Sequence, residues 1–327
     1  MLQSNKNKSG NWWFAIKLLL ACLALWFIYL KVFKQEGSLD YLLQLKIAFS
    51  LSGSLILFFI VFVLMLLNWT TEALKWRFMI SKIENISVSR SLEAVFSGIT
   101  VSFFTPNRIG EYAGRVFHLK EGKRMQATII TVIENGSQLL ITIIAGSIGC
   151  MFYVSDYMDL SPWIFMLVRF LLIILCVFCL LFFFNLHLFE IYFQRFKLSA
   201  YWKQIVHVFS LYSSIDLFKV LGLSLLRYLI FSLQFFILLK IYGCAFQPLQ
   251  GLLMISMTFF VMAVVPTFTI AELGIRGAVS AFFFGKLTID VLPVLNATFS
   301  LWFINLVLPA LAGAFFIFHF RFEKNGK

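Results

Sequence analysis

The sequence has few charged residues and lacks any polar stretch long enough to form a separate soluble domain. Of its 327 residues, 13% are charged and 61% are hydrophobic, whereas a soluble domain carries about 25% charged residues. The runs 171–184 and 301–318 contain no charged side chain at all. The composition therefore excludes a soluble fold and predicts an all-α, polytopic membrane protein.

The sequence also lacks the motifs of metal, redox and nucleotide chemistry. Its four histidines form no HExxH or Cys/His ligand set, and Cys176 and Cys179 stand inside an apolar run where thiolates are unfavourable. No Walker A, GxSxG or GxGxxG motif occurs. We expect no cofactor, no metal and no ATP hydrolysis on this chain. The net charge of +12 is spread over short loops between apolar segments, a pattern that argues against a nucleic-acid partner.

Two groups of apolar segments are visible. Six are long enough to cross a bilayer, at about 12–33, 50–74, 127–153, 162–186, 219–242 and 292–319. Two more, about 91–112 and 250–286, are broken near their middles by Pro106 and Pro266. We predict six full spans plus two re-entrant segments arranged as an inverted repeat, all within one integral membrane domain over 1–327.

The distribution of basic residues predicts an orientation for these segments. With a cytoplasmic amino terminus and both broken segments returning to their side of entry, nineteen Lys and Arg residues lie inside and five outside. This bias follows the positive-inside rule. We therefore expect a multi-pass protein of the bacterial inner membrane with both termini in the cytoplasm.

The two broken segments carry a similar motif. The first reads SFFTPNRIGEYAGR over 102–115, and the second reads VVPTFTIAELGIRG over 264–277. On a helix, Arg108, Glu111 and Arg115 are predicted to share one face, as are Glu272 and Arg276. Each charged residue at the bilayer centre costs about 2.5–3.5 kcal/mol. Their paired occurrence has two interpretations. One is a polar cavity in which arginine binds a head group, and the other is a set of structural ion pairs that hold the broken helices together.

Further polar residues extend this candidate site. Glu134 and Gln138 are four residues apart in the third span, where they either face the cavity or bond neighbouring helices. Arg227 could pair with Glu272, Glu134 or a lipid phosphate, or snorkel to the interface. The predicted substrate-binding residues are Arg108, Glu111, Arg115, Glu134, Gln138, Arg227, Glu272 and Arg276. The predicted hinge residues are Pro106, Gly110, Gly114, Pro266 and Gly274.

A different interpretation applies to the end of the second span. Asn68, Glu72, Lys75, Trp76 and Arg77 follow an apolar run and precede a short basic loop. Tryptophan is enriched at membrane interfaces, and basic residues collect on the cytoplasmic side. We therefore expect this helix to emerge from the cytoplasmic face here, with no part in a site.

The motifs TPNRIGEYAGR, VIENGSQLL and VVPTFTIAELGIRGAV, with the upstream LLNWTTEALKWRFMI, resemble the lysylphosphatidylglycerol synthase transmembrane-region family, the flippase-like domain. The resemblance runs from about residue 12 to 320. It implies a domain linked to moving a lipid between leaflets, as in the multiple peptide resistance factor, without the soluble aminoacyl-transferase domain of the bifunctional members. It maps onto Arg108, Gly110, Glu111, Arg115, Glu134, Pro266, Glu272 and Gly274.

These observations favour a lipid translocase, or a lipid-binding protein of transporter type, with no catalytic residues. Its expected partners are membrane lipids with polar or anionic head groups, together with a second copy of the chain or an enzyme of a lipid pathway. Two alternatives stay open. One is an intramembrane lipid-modifying enzyme with Glu111 or Glu134 as acid or base, and the other is a non-catalytic membrane partner of an envelope-biosynthesis enzyme.

Overall fold

The computed structural model describes residues 54–105, 108–196, 199–265 and 269–324. Its helices are α1 Ser54–Ile80, α2 Val88–Ser102, α3 Gly110–Val116, α4 Arg124–Tyr157, α5 Pro162–Phe184, α6 His187–Gln194, α7 Ala200–Val206, α8 Ser214–Ile241, α9 Pro248–Val264, α10 Thr269–Phe284, α11 Leu292–Trp302 and α12 Leu308–Lys324. No strand occurs among the described residues. The all-α prediction is confirmed.

Five helical segments within the described residues are long and apolar enough to cross a membrane. They are Ser54–Ile80, Glu121–Tyr157, Pro162–Phe184, Ser214–Ile241 and Leu292–Ile317. A helix suits the bilayer because its backbone hydrogen bonds are satisfied internally. These segments coincide with five of the six predicted full spans, and the sixth, 12–33, lies outside the described residues. The chain is a multi-pass helical membrane protein.

Helix α5 shows what the outer surface of the bundle is like. It packs against α4, yet Phe183 is its one buried side chain. Large apolar residues are exposed along the whole helix, and Arg169, held over the ring of Phe165 at 4.8 Å, is exposed as well. A helix that is apolar on every side without being buried by protein is typical of a lipid-facing position.

Helices α2 and α3 form an antiparallel pair that we call the first hairpin. A Cβ atom on Gly110 would lie 2.5 Å from the Val101 carbonyl oxygen, and one on Gly114 would lie 2.6 Å from the Cα of Gly98. Residues further along α3 therefore contact earlier residues of α2, so the two helices are antiparallel and their backbones are in direct contact. Only glycine allows this approach. α2 ends at Ser102 and α3 begins at Gly110, on either side of the predicted break.

Helices α9 and α10 form the corresponding second hairpin. Phe284, the last residue of α10, contacts Phe246, which precedes α9, with ring centroids 5.6 Å apart. The end of α10 thus returns to the start of α9, so these two helices are antiparallel as well. Pro106 and Pro266 lie outside the described residues. At both motifs one helix ends before the predicted break and another begins after it, while the re-entrant path through a bilayer and the inverted repeat stay predictions.

The last span contains a π-helical turn at Phe303–Val307, between α11 and α12. Pro309 explains its position, because proline has no N–H to donate to the carbonyl of Asn305 and its ring crowds that turn. α12 then packs closely on α2, since a Cβ on Gly313 would lie 2.0 Å from the Phe96 carbonyl oxygen. The π-turn places Asn305 in the interior of the bundle, where its side chain is buried.

The chain divides into two compact units, Met1–Leu55 and Ile56–Lys327. Each residue of the predicted site belongs to the second unit. The prediction of a single domain over 1–327 stays a prediction.

Candidate functional site

The charged residues of the two motifs meet directly. Nη2 of Arg108, in the break of the first hairpin, donates to both carboxylate oxygens of Glu272 at 2.9 and 3.1 Å. Nη2 of Arg276, one turn along α10, donates to Oε1 of Glu272 at 2.6 Å. We call Arg108, Glu272 and Arg276 the cavity cluster. The predicted pairing of Glu272 with Arg276 is confirmed, and the ion pair between the hairpins joins residues 164 positions apart.

Arg108 reaches Glu272 because it does not belong to helix α3. Its φ angle is +56°, a left-handed conformation that non-glycine residues seldom adopt. Two residues later, the N–H of Gly110 donates to Oγ1 of Thr105 at 2.7 Å, which closes the turn before α3 begins. The prediction that Arg108 shares a helix face with Glu111 and Arg115 is therefore wrong. The left-handed turn directs Arg108 to the second hairpin, while the other two residues pair along α3.

A cavity lies between the hairpins. It consists of two adjoining chambers of about 570 and 340 Å³. Residues lining both chambers are Trp69, Arg108, Gln138, Thr142, Arg227, Ala263 and Leu306. Glu272 and Arg276 line the larger chamber, and Glu111 lines the smaller. Three arginines and two glutamates therefore line one cavity.

The walls of the cavity are amphipathic. Phe231, Phe259 and Met262 line the larger chamber together with its arginines. Val264, at the end of α9, lines the same chamber and is 67% exposed on the protein surface. The chamber therefore reaches the outer surface of the bundle beside the break of the second hairpin.

A second set of charges lies next to the cavity and is almost entirely sealed. We call it the buried network, and its members are Glu72, Lys75, Glu111, Arg115, Glu134 and Arg227. Arg115, which is fully buried, donates to Glu72 at 2.5 Å, to Glu134 at 2.9 Å and to Glu111. Lys75, equally buried, lies 3.0 Å from Glu72 and 2.9 Å from Glu134.

Arg227 connects the buried network to the cavity. Its Nη1 lies 3.0 Å from Oε2 of Glu72, and its Nε donates to Oδ1 of Asn68 at 3.1 Å. Asn68 in turn donates to Oδ1 of Asn305 at the π-turn, at 3.4 Å. The guanidinium also lies over the indole of Trp69 at 5.1 Å, a favourable cation–π geometry. Among the partners predicted for Arg227, neither Glu272 nor Glu134 is paired with it.

The buried network is electrically balanced, with three carboxylates and three cations. Burial of a charge is costly unless opposite charges and hydrogen bonds compensate it. Both oxygens of Glu134 lie within 2.9 Å of a cation, one on Lys75 and one on Arg115. Ser224 adds a contact of 3.4 Å to Lys75 and bonds Ser137 at 2.7 Å. This arrangement is suited to holding α1, α3, α4 and α8 together.

The predicted site residues thus divide into two groups. Arg108, Glu111, Gln138, Arg227, Glu272 and Arg276 line the cavity, whereas Arg115 and Glu134 do not. Both are fully buried inside the network. Their predicted contact with substrate has no support in this geometry, because both Nη atoms of Arg115 and both carboxylate oxygens of Glu134 already contact opposite charges.

The predicted hinge glycines also differ from one another. Gly110 and Gly114 are required by the close approach within the first hairpin, as described above. Around the position of a Cβ at Gly274, no atom of the described part of the chain lies within 4 Å. The three glycines were predicted together as hinge residues, but the close backbone approach that requires glycine is seen at Gly110 and Gly114 and not at Gly274.

The interpretation of the end of α1 as surface residues that lead into a basic loop is wrong for four of its five residues, while the fifth, Arg77, is exposed as that interpretation expects. The helix continues to Ile80, and Asn68, Glu72, Lys75 and Trp76 are all buried. Trp76 donates its indole N–H to Thr131 at 3.0 Å instead of anchoring at an interface. The sequence spacing could have indicated a shared buried position, because residues 68, 72 and 75 lie on one helix face.

Comparison with known proteins agrees with the resemblance. No curated protein and no solved structure matches the chain. The sequence of residues 14–313 matches the family described as the lysylphosphatidylglycerol synthase TM region. This match includes both motifs, the cavity and the buried network. The chain belongs to the lysylphosphatidylglycerol synthase transmembrane-region family.

Proposed function

We propose that this protein binds a lipid by its polar head group within the cavity and moves it between the leaflets of the membrane. The observation that carries this proposal is the amphipathic cavity between the two hairpins, lined by Arg108, Arg227 and Arg276. Guanidinium groups donate paired hydrogen bonds to phosphate and similar oxyanions. The apolar wall of Phe231, Phe259 and Met262 offers a matching surface for the non-polar part of a lipid.

The position of the cavity supports access from the bilayer. Val264 lines the larger chamber and is exposed on the outside of the bundle. A lipid head group can then enter beside α9 while its acyl chains stay in hydrocarbon. This path avoids transferring a whole lipid into a closed protein interior.

The two hairpins supply the elements that transport requires. Transporters commonly bind substrate where broken helices of two repeats meet, near the bilayer midplane. Here the breaks are joined by the ion pair of Arg108 with Glu272. In our proposal this pair opens and closes as the head group arrives and leaves, with the hairpins re-entering from opposite faces.

The proposed orientation places both termini in the cytoplasm of a bacterial cell. Lys75, Arg108 and Arg115, counted as loop charges on the cytoplasmic side, instead lie inside the bundle or in its cavity. Sixteen basic residues against five still favour the same orientation.

Reconstituted vesicles test the proposal. Purified protein is placed in liposomes with an acyl-labelled phosphatidylglycerol, and dithionite quenching measures how much label changes leaflet. We expect the wild type to accelerate exchange and Arg108→Gln to reduce it at least tenfold. Arg169→Gln removes the same charge from the outer face of α5 and is expected to retain wild-type exchange. Wild-type exchange by Arg108→Gln would contradict the proposed site.

A further inference from the structure

The charges around the cavity do not sum to zero. The buried network has three cations and three carboxylates and is balanced. The cavity cluster has two guanidinium groups and one carboxylate. Among the described residues that line the cavity, this leaves one unmatched positive charge.

The unmatched charge is located where a ligand can reach it. The side chain of Arg108 is 42% exposed, against 12% for Arg276 and 5% for Glu272. Its ion pair with Glu272 uses Nη2, and Arg108 lines both chambers of the cavity. Arg276 and Glu272, by contrast, are joined within α10 and largely covered.

We propose that the cavity selects a head group with a single net negative charge, carried by an oxyanion such as a phosphodiester. The proposal rests on the proposed function and specifies its substrate class. One negative charge makes the loaded cavity neutral, and a neutral cavity is the least costly in a medium of low dielectric constant. A zwitterionic head group leaves the positive charge unmatched, and a doubly charged phosphomonoester introduces an unmatched negative one.

A doubly charged head group cannot easily displace Glu272 from Arg276. A second negative charge would have to draw Arg276 from Glu272, to which it donates at 2.6 Å. With Arg108 already bound to the first negative charge, Glu272 would lose its second cation while only 5% exposed, and a buried unpaired charge is strongly destabilising. The cluster is therefore built to accept one charge.

Binding of lipids with identical acyl chains tests this inference. The protein in detergent is titrated with dioleoyl phosphatidylcholine, phosphatidylglycerol and phosphatidic acid at pH 8, and Kd is measured from quenching of tryptophan fluorescence. Phosphatidylcholine has no net charge, phosphatidylglycerol has one negative charge, and the phosphomonoester of phosphatidic acid has close to two. We expect phosphatidylglycerol to bind about tenfold more tightly than either of the others, the value of one charged hydrogen bond.

Two variants should move this preference in opposite directions. Glu272→Gln raises the charge of the cluster by one and is expected to make phosphatidic acid the preferred lipid. Arg276→Gln lowers the charge by one and is expected to remove the preference for phosphatidylglycerol over phosphatidylcholine. Arg169→Gln is the matched control and should keep the wild-type order. Each variant is first checked for a single symmetric peak in size-exclusion chromatography.

The outcomes separate the two proposals. Binding of all three lipids with equal Kd, or an order that neither variant changes, overturns the charge selectivity and leaves lipid binding intact. No binding of any lipid overturns the proposed function as well. Soluble glycerophosphoglycerol serves as a competitor, and displacement of phosphatidylglycerol at equal concentration would identify a site for free anions instead of lipids.

Discussion

Two clusters of arginine and glutamate lie within one helical bundle, and they differ in charge and in access. In the buried network, Arg115 is fully buried and bonded to three carboxylates. In the cavity cluster, Arg108 is 42% exposed and bonded to one. The first cluster is balanced and has no capacity for another anion, whereas the second carries a surplus positive charge beside an empty volume.

This difference separates a structural role from a binding role, although the residue types are the same. Each motif has a glutamate followed four residues later by an arginine, at 111 and 115 and at 272 and 276. In the first, the arginine turns inward to two further carboxylates on α1 and α4. In the second, the glutamate accepts from an additional arginine. The number of partners, and not the motif itself, decides which cluster can bind a ligand.

Removal of Arg115 is expected to have the largest effect on stability, and it tests the structural role of the buried network. Arg115→Met leaves Glu72, Glu111 and Glu134 with one fewer cation at a position where the lost side chain is fully buried. Breaking a buried ion pair by removing one partner costs about 3–5 kcal/mol, and we expect a loss of this size in the free energy of unfolding. Unfolding in mixed micelles, followed by circular dichroism, measures it.

The conservative variant Arg115→Lys provides the control. A single ammonium group keeps the charge but lacks the planar fork that spans the three carboxylates, so an intermediate loss of stability is expected. If Arg115→Met unfolds like the wild type while lipid exchange disappears, the assignment of a structural role to Arg115 is wrong.

The two hairpins offer a second, smaller contrast. Gly114→Ala places a methyl group 2.6 Å from the Cα of Gly98, and overpacking of this kind costs about 1–3 kcal/mol. Gly274→Ala has open space around it and removes a flexible residue from helix α10, so we expect a gain of about 0.5–1 kcal/mol. The same unfolding assay compares them. Equal destabilisation by both changes would contradict the close packing assigned to the first hairpin.

The sequence predicted the architecture well because apolar length and proline position determine it locally. Five described spans coincide with predicted ones, and both motifs interrupt helices around the predicted breaks. The hairpin partners were harder to identify, since they depend on long-range contacts. Gly313 against Phe96 and Arg108 against Glu272 are separated by more than 160 residues, and no local spacing encodes such pairs.

The predicted binding site stays a prediction, and its list of charged residues was incomplete. Arg108, Glu272 and Arg276 line the cavity as the paired motifs indicated. Glu72 and Lys75 were missed because basic residues after an apolar run are usually loop charges. Burial of Lys75 depends on Glu134, a residue 59 positions away. Whether such a charge faces water or a partner is settled only by tertiary packing.

The smallest expected effect on stability belongs to Arg108, and it tests whether the cavity cluster is dispensable for folding. Arg108→Gln removes one of the two cations on Glu272, but Arg276 remains at 2.6 Å to neutralise that carboxylate. Because the lost guanidinium is 42% exposed, its ion pair contributes about 0–1 kcal/mol. The free energy of unfolding should therefore stay within about 1 kcal/mol of the wild type, while lipid exchange falls as proposed above. A loss in the free energy of unfolding as large as that of Arg115→Met would mean that the cavity cluster is structural too. An arginine whose role is to bind a ligand should be dispensable for folding.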